Sequence, residues 1–170
     1  MFKFKKKLLQ HQQGFTLVEV LAAIVIATLF VGVTMQAMVM AAYLKSRALE
    51  STEAMGWIHK NLEEIKYKAS IYVETTRCGT TATPATITTG YADGLRDDIT
   101  SVQSGTSNYV DFQKNSRTGK QYTLRRTTTL GSVAPYNVLQ ISYTVTPATG
   151  GNAVATNYTE VMPDAALLCP

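Results

Sequence analysis

Few residues of this chain have types and surroundings that could do chemistry. The first group is Gly14-Phe15-Thr16-Leu17-Val18-Glu19, where a small residue precedes an aromatic one and a single carboxylate enters an otherwise apolar run. A small residue at the edge of an apolar segment suits a leader-removing peptidase, and a lone acid inside such a segment asks for a cationic partner or a route to water. The second group is Cys78 and Cys169, 91 positions apart, which form one disulfide or remain two thiols. Neither has a nearby Cys or His to share a metal. The third is Asp93, Asp97 and Asp98, whose oxygens could bind calcium; their spacing lacks the alternation of an EF-hand loop, so a turn or helix cap competes. His59 has no Ser/His/Asp set, metal-ligand cluster or phosphate-binding glycine loop around it, so no catalytic residue, metal or cofactor is expected.

The element that must position Glu19 is a helix of membrane length. From Val20 to Ala42 only Thr28, Thr34 and Gln36 carry polar side chains. Phe15 to Ala42, 28 residues, would rise roughly 42 Å as a helix and exceeds the ~20 residues that a bilayer core requires. Lys3, Lys5, Lys6 and Lys7 precede it and account for the whole net charge of +4. That basicity is therefore a topology signal, holding the N-terminus in the cytoplasm and sending the residues after Ala42 to the far side. A secretory signal peptide places its cut after the apolar region; here Gly14 stands before it, so the anchor would survive.

This order of basic leader, glycine, aromatic residue, acid and apolar run resembles the N-terminus of type IV pilins and pseudopilins. The resemblance implies a prepilin peptidase that cuts after Gly14 and methylates the new amine of Phe15. Glu19, as fifth residue of the mature chain, would then meet the Phe15 amine of an adjoining subunit when the anchor leaves the bilayer for a filament core. The implied partners are prepilin peptidase, other pilin subunits, the inner-membrane assembly platform and, before assembly, membrane lipid. The implied location is a single-pass inner-membrane protein with a cytoplasmic N-terminus and a headgroup in the periplasm or outside, extracellular once in a filament. Many major pilins carry a glycine and a proline where this chain has Thr28 and Gln36. The Thr-Leu-Val-Glu-Val-Leu opening looks more like minor pilins and minor pseudopilins, which prime assembly or cap the filament. The reading is a minor pilin that primes or modifies assembly, adhesion or motility. Alternatives are a minor pseudopilin of a type II secretion system, a major pilin, a DNA-uptake pilin, or a membrane-tethered binding protein that never polymerises.

Beyond the anchor, Leu44, Ala48, Ser51, Met55, Ile58, Leu62, Ile65 and Ala69 mark one helical face and charged residues the others. No proline occurs before Pro84, which allows one helix from Phe15 to Ile71, with its second half against a globular domain or, alternatively, in a coiled-coil seam. From Tyr72 to Ser107 the periodicity fails and Thr, Ala and Gly dominate, so a long exposed connection is expected. Alternation then predicts strands over 109–113, 121–130, 138–146 and 157–162. The fold class is α+β: a long N-terminal helix packed on an antiparallel sheet of about four strands, the arrangement of a pilin headgroup. The domains are a cleaved leader 1–14, a transmembrane or filament-core helix 15–42, an amphipathic half 43–71 and a headgroup 72–170. A Cys78–Cys169 bond would tie the tail to the end of the helix and destabilise the unfolded chain by up to ~4.6 kcal/mol in the entropy account. Lys114, Arg117, Lys120, Arg125 and Arg126 form a local basic group. Residues 71–170 nevertheless hold seven basic and seven acidic residues, and Arg125 and Arg126 would face opposite ways on a strand. DNA is not an expected partner, and the basic group reads as a solvated rim.

Overall fold

The computed structural model describes residues 14–73, 77, 86–100 and 108–168. Helix α1 covers Leu17–Ile71, beginning just after the expected Phe15 and ending where expected. The chain divides into two compact units, one ending at Lys45 and one beginning at Ser46. In the first, α1 is apolar all round, and Leu17, Leu21, Ile24, Leu29, Phe30, Val33 and Met38 are exposed. A helix without a polar face has no stable place in water, and this one is long and apolar enough to cross a membrane. Its hydroxyls suit an apolar medium, because Thr28 and Thr34 donate to the carbonyls of Val25 and Val31 at 2.9 Å.

In the second unit α1 is one-sided. Ala54, Ile58, Leu62, Ile65 and Ala69 are buried at helical spacing. The expected stripe starts too early: Leu44 and Ala48 are exposed, Ser51 and Met55 only half-buried, and full burial begins at Ala54. Those side chains cluster with the inner face of a four-stranded antiparallel sheet in the order β1 (Tyr109–Asn115), β2 (Gln121–Leu130), β3 (Leu139–Pro147), β4 (Ala155–Val161). Tyr122 and Leu124 of β2 and Leu139, Ile141, Tyr143 and Val145 of β3 supply most of that face, and Trp57 tilts over Tyr122 with ring centroids 5.6 Å apart. Fully burying an aliphatic side chain such as Ile58 or Ile65 is worth about 1.5–3 kcal/mol, so this contact holds the sheet to the helix. Gly119, at φ 81°, closes the β1–β2 turn in a conformation other residues resist. Lys120 pairs with Glu50, and the Arg117 amide donates to Glu53 at 3.0 Å, fastening that turn to α1.

The expected featureless connection contains a second helix, α2 (Tyr91–Thr100). Its Ala92, Leu95 and Ile99 join the main core. Tyr91 joins Tyr72, Ala165 and Ala166 in a smaller cluster that docks a C-terminal 3₁₀ turn, Asp164–Leu168. Gly90 and Gly94 suggested a loop but serve close packing. A β-carbon on Gly94 would meet the Tyr72 hydroxyl, the movable end of a side chain, whereas one on Gly90 would stand 2.6 Å from the Tyr136 backbone carbonyl.

The basic group also proves not to be one rim. Arg125 is exposed and forms two 2.7 Å bonds to Asp111. Arg126, on the other face, is 3% exposed. It donates to Asn61 Oδ1 at 3.1 Å and to the Ile99 carbonyl at 2.8 Å, and its guanidinium lies 5.4 Å from the Phe112 ring centroid. The Tyr143 hydroxyl donates to the same Asn61 oxygen at 3.0 Å. Burial pushes the Tyr143 hydroxyl up to about 12 and lowers Arg126 from its ordinary value.

Asn61 thus joins α1 to a cation that bridges β2 and α2. Asn61→Ala should lower stability by about 2–3 kcal/mol, because it strands a buried guanidinium and a buried hydroxyl together. Tyr143→Phe should cost about 1 kcal/mol; denaturant titrations of the two variants compare them, and equal midpoints would contradict the network. Two other carboxyls give stability a pH dependence. The hydrogen bond from Lys120 holds Glu50, and that from Arg125 holds Asp111, below the usual carboxylate range. Depressed carboxyls contribute stability above their unfolded pKa of about 4 and lose it as pH falls through the folded value. Acidification below about pH 4 should lower the melting temperature more in the wild type than in Asp111→Asn, a difference to which the oppositely shifted Asp93 does not contribute; equal changes in the two would contradict the assignment.

Candidate processing and assembly site

Gly14, Phe15 and Thr16 precede the helix as exposed, non-helical residues. Thr16 is the N-cap: its hydroxyl accepts the Glu19 amide at 3.3 Å, and its carbonyl accepts the amides of Glu19 at 3.0 Å and Val20 at 3.2 Å. The helix therefore starts at Leu17, leaving the Gly14–Phe15 bond outside it in exposed backbone that a peptidase can reach. Among the described residues nothing lies within 4 Å of a β-carbon built on Gly14, so they make no demand for glycine there.

Glu19 falls at the third helical position, where a capping box places its acid and where the positive end of the helix dipole favours negative charge. Its carboxylate makes no ion pair among the described residues. It opens onto an apolar groove of about 570 Å³ lined by Phe15, Val20, Ala23, Ile24 and Ala27. The two alanines keep that side of the helix low, so another helix can approach closely. Sequence reasoning missed this cap, although the Thr16-Leu17-Val18-Glu19 spacing is a signal that could have found it.

The other candidate residues lie elsewhere. Cys78 and Cys169 fall outside the described residues, so their pairing does too. Asp93, Asp97 and Asp98 all lie on α2. Asp93 meets Arg96 and, at 3.5 Å, Arg77, while Asp97 also meets Arg96 at 3.3 Å. Arginine guanidinium groups thus answer two of the three carboxylates. Desolvation outweighs those arginines and pushes the Asp93 carboxyl above its ordinary value. His59 is an exposed residue of α1.

The family model described as "Prokaryotic N-terminal methylation motif" matches residues 9–35, which include Gly14, the cap, Glu19 and most of the apolar run. The chain carries the prepilin signature of type IV pilins and pseudopilins. No curated protein and no solved structure matches the chain. The prepilin signature marks structural subunits; it implies processing by prepilin peptidase and assembly with other pilins, and it agrees with a membrane-anchored chain. The long apolar helix joined to a four-stranded antiparallel sheet is a pilin-like arrangement.

Because the fold leaves room for a methyl group at Gly14, a cleavage defect in Gly14→Ala would report on the peptidase alone. Co-expression with a prepilin peptidase should shorten the wild type by Met1 to Gly14 and leave N-methyl-Phe15. Gly14→Ala should remain at full mass by intact-protein mass spectrometry, and normal shortening would contradict the processing site.

Proposed function

We propose that this chain is a minor pilin, a low-copy structural subunit that primes or modifies a type IV pilus or related filament. The observation that carries the reading is Glu19: an acid five residues from the scissile bond, with no ion-pair partner among the described residues, on a helix whose large side chains are exposed in every direction. Such a surface is stable in lipid or among copies of itself. A carboxylate on it gains most from a cation that arrives with a neighbouring helix, and the Phe15 amine is the cation that processing creates. Thr28 and Gln36, in place of the glycine and proline of many major pilins, favour the minor role.

In this proposal residues 1–14 are removed, 15–42 occupy the inner membrane and then the filament core, 43–71 form the amphipathic half, and 72–170 form the exported headgroup. The assembly platform extracts the processed chain from lipid. Cys78 and Cys169 form the headgroup disulfide. Support comes from the sequence, since two cysteines in a domain on the far side of the membrane favour one bond.

The test is Glu19→Val. Removing the charge makes the anchor more comfortable in lipid and touches nothing in the headgroup core, so the variant should accumulate, be cleaved and fold. It should enter filaments poorly, measured as the ratio of filament-associated to membrane-associated protein at matched expression. Equal ratios for wild type and variant would remove Glu19 from assembly and leave it as a helix-capping acid.

A further inference from the structure

The outer face of the sheet takes no part in the core or in the processing site. Strand register places Tyr109, Thr127, Ser142 and Tyr158 in one cross-strand row, and Asp111, Arg125, Thr144 and Thr156 in the next. Tyr109 and Tyr158 stand on the two edge strands and are 45% and 59% exposed. With neighbouring strands ~4.8 Å apart, the row sets two aromatic side chains roughly 14 Å apart across a floor of hydroxyls. Both rings are held in place. The Arg125 guanidinium lies 4.2 Å from the Tyr109 ring centroid and is itself clamped by Asp111. The Tyr158 hydroxyl donates to Glu160 at 2.7 Å, and the Gln140 amide donates to the same oxygen at 3.4 Å.

We infer that this face is a binding platform for a neutral, extended polysaccharide chain. Sugar rings present C–H-rich faces that stack on exposed aromatic rings, and hydroxyls that exchange hydrogen bonds with Ser, Thr and amide groups. The rows supply both in alternation. Orientation of the rings before binding removes part of the ordering cost. Charge selects the ligand class. Asp111, Arg125 and, in the adjoining row opposite Gln140, Glu160 are the charged side chains of the outward strand positions, and Arg125 is already neutralised by Asp111, so the face sums to −1. Single-stranded nucleic acid also stacks on the aromatic residues of a sheet, but its phosphates need a cationic face, and here the balance repels them. A neutral polyol meets no such penalty. The inference does not rest on filament assembly, because the face belongs wholly to the second unit.

The test uses the full chain purified in a polyoxyethylene detergent, which carries no sugar. Calorimetric titration with cellohexaose, mannohexaose and N-acetylchitohexaose is compared with heparin and oligodeoxythymidylate. Saturable binding of at least one neutral hexasaccharide is expected. Tyr109→Ala and Tyr158→Ala should each weaken it about tenfold, the loss expected for removing one apolar ring from a contact. Tyr158→Phe, which keeps the ring, should retain most of the affinity, and unchanged melting temperatures show that the variants fold. Failure to bind any of the three neutral probes, indifference to both alanine substitutions, or tighter binding of heparin or the oligonucleotide would overturn the inference. None of these outcomes changes the filament ratio of Glu19→Val, so the two readings fail separately.

Discussion

The constraint on which the rest depends is that the helix before Lys45 has no packing partner among the described residues. An amphipathic helix folds by laying its apolar stripe on a core, whereas one apolar in every direction must find its surroundings outside the chain. Lipid meets that need without specificity, and other such helices meet it with specificity through small residues and polar pairs. The arrangement at the start of the helix is consistent with both states. Thr16 satisfies the first amides, and Thr28 and Thr34 return their hydroxyls to their own helix, so among these residues the carboxylate of Glu19 is the group that lipid serves badly.

From Ser46 onward the same helix obeys the opposite rule. Its buried stripe from Ala54 to Ala69 is matched by the inner face of the sheet, and the ion pair and hydrogen bond at Glu50 and Glu53 secure the first hairpin beside it. The core thus settles where one side of each strand must point and leaves the other side free. Arg126 shows how strict that division is. Strand alternation forces its neighbour Arg125 outward and Arg126 inward, and the inward cation is tolerated because Asn61, the Ile99 carbonyl and the Phe112 ring surround it. Replacement of a buried carboxylate by an amide, a carbonyl and a ring avoids desolvating a second charge.

Much of this was legible in the sequence because it rests on periodicity. The helix end at Ile71 and the strand β2 over 121–130 coincide with their expected limits, since a change of period from 3.6 to 2 is a strong signal. Strands β1 and β3 differ from expectation by a residue or two at their ends, while β4 starts at Ala155 and not at Asn157. Helix α2 was not legible. Its apolar residues Ala92, Leu95 and Ile99 have helical spacing, but the helix spans only 10 residues, with Gly94 among its first four. A β-carbon at that glycine would meet the Tyr72 hydroxyl and the Arg77 guanidinium, tertiary neighbours that no local pattern records. The early start assigned to the buried stripe has a similar origin, because Leu44 and Ala48 fit the helical period but only a partner surface can bury them.

The processing site is readable from residue order alone, and its physical basis becomes visible in the cap. An acid in the first helical turn gains roughly 0.3–1 kcal/mol from the helix dipole. The insertion cost of a carboxylate deep in a membrane is about 2.5–3.5 kcal/mol. The cap alone therefore suffices near the interface and falls short once the first turn is drawn into an apolar interior. The shortfall sets the sign of the selection: a helix that stays at the lipid surface can keep Glu19 for capping, whereas one that enters a dry bundle needs a cation within reach. In the proposed filament, cleavage before Phe15 would supply that cation at the end of every neighbouring helix, in a medium where attraction between opposite charges is least screened. On that proposal leader removal and assembly would be coupled by electrostatics, because the amine that completes the pair would not exist until the leader had been cut away.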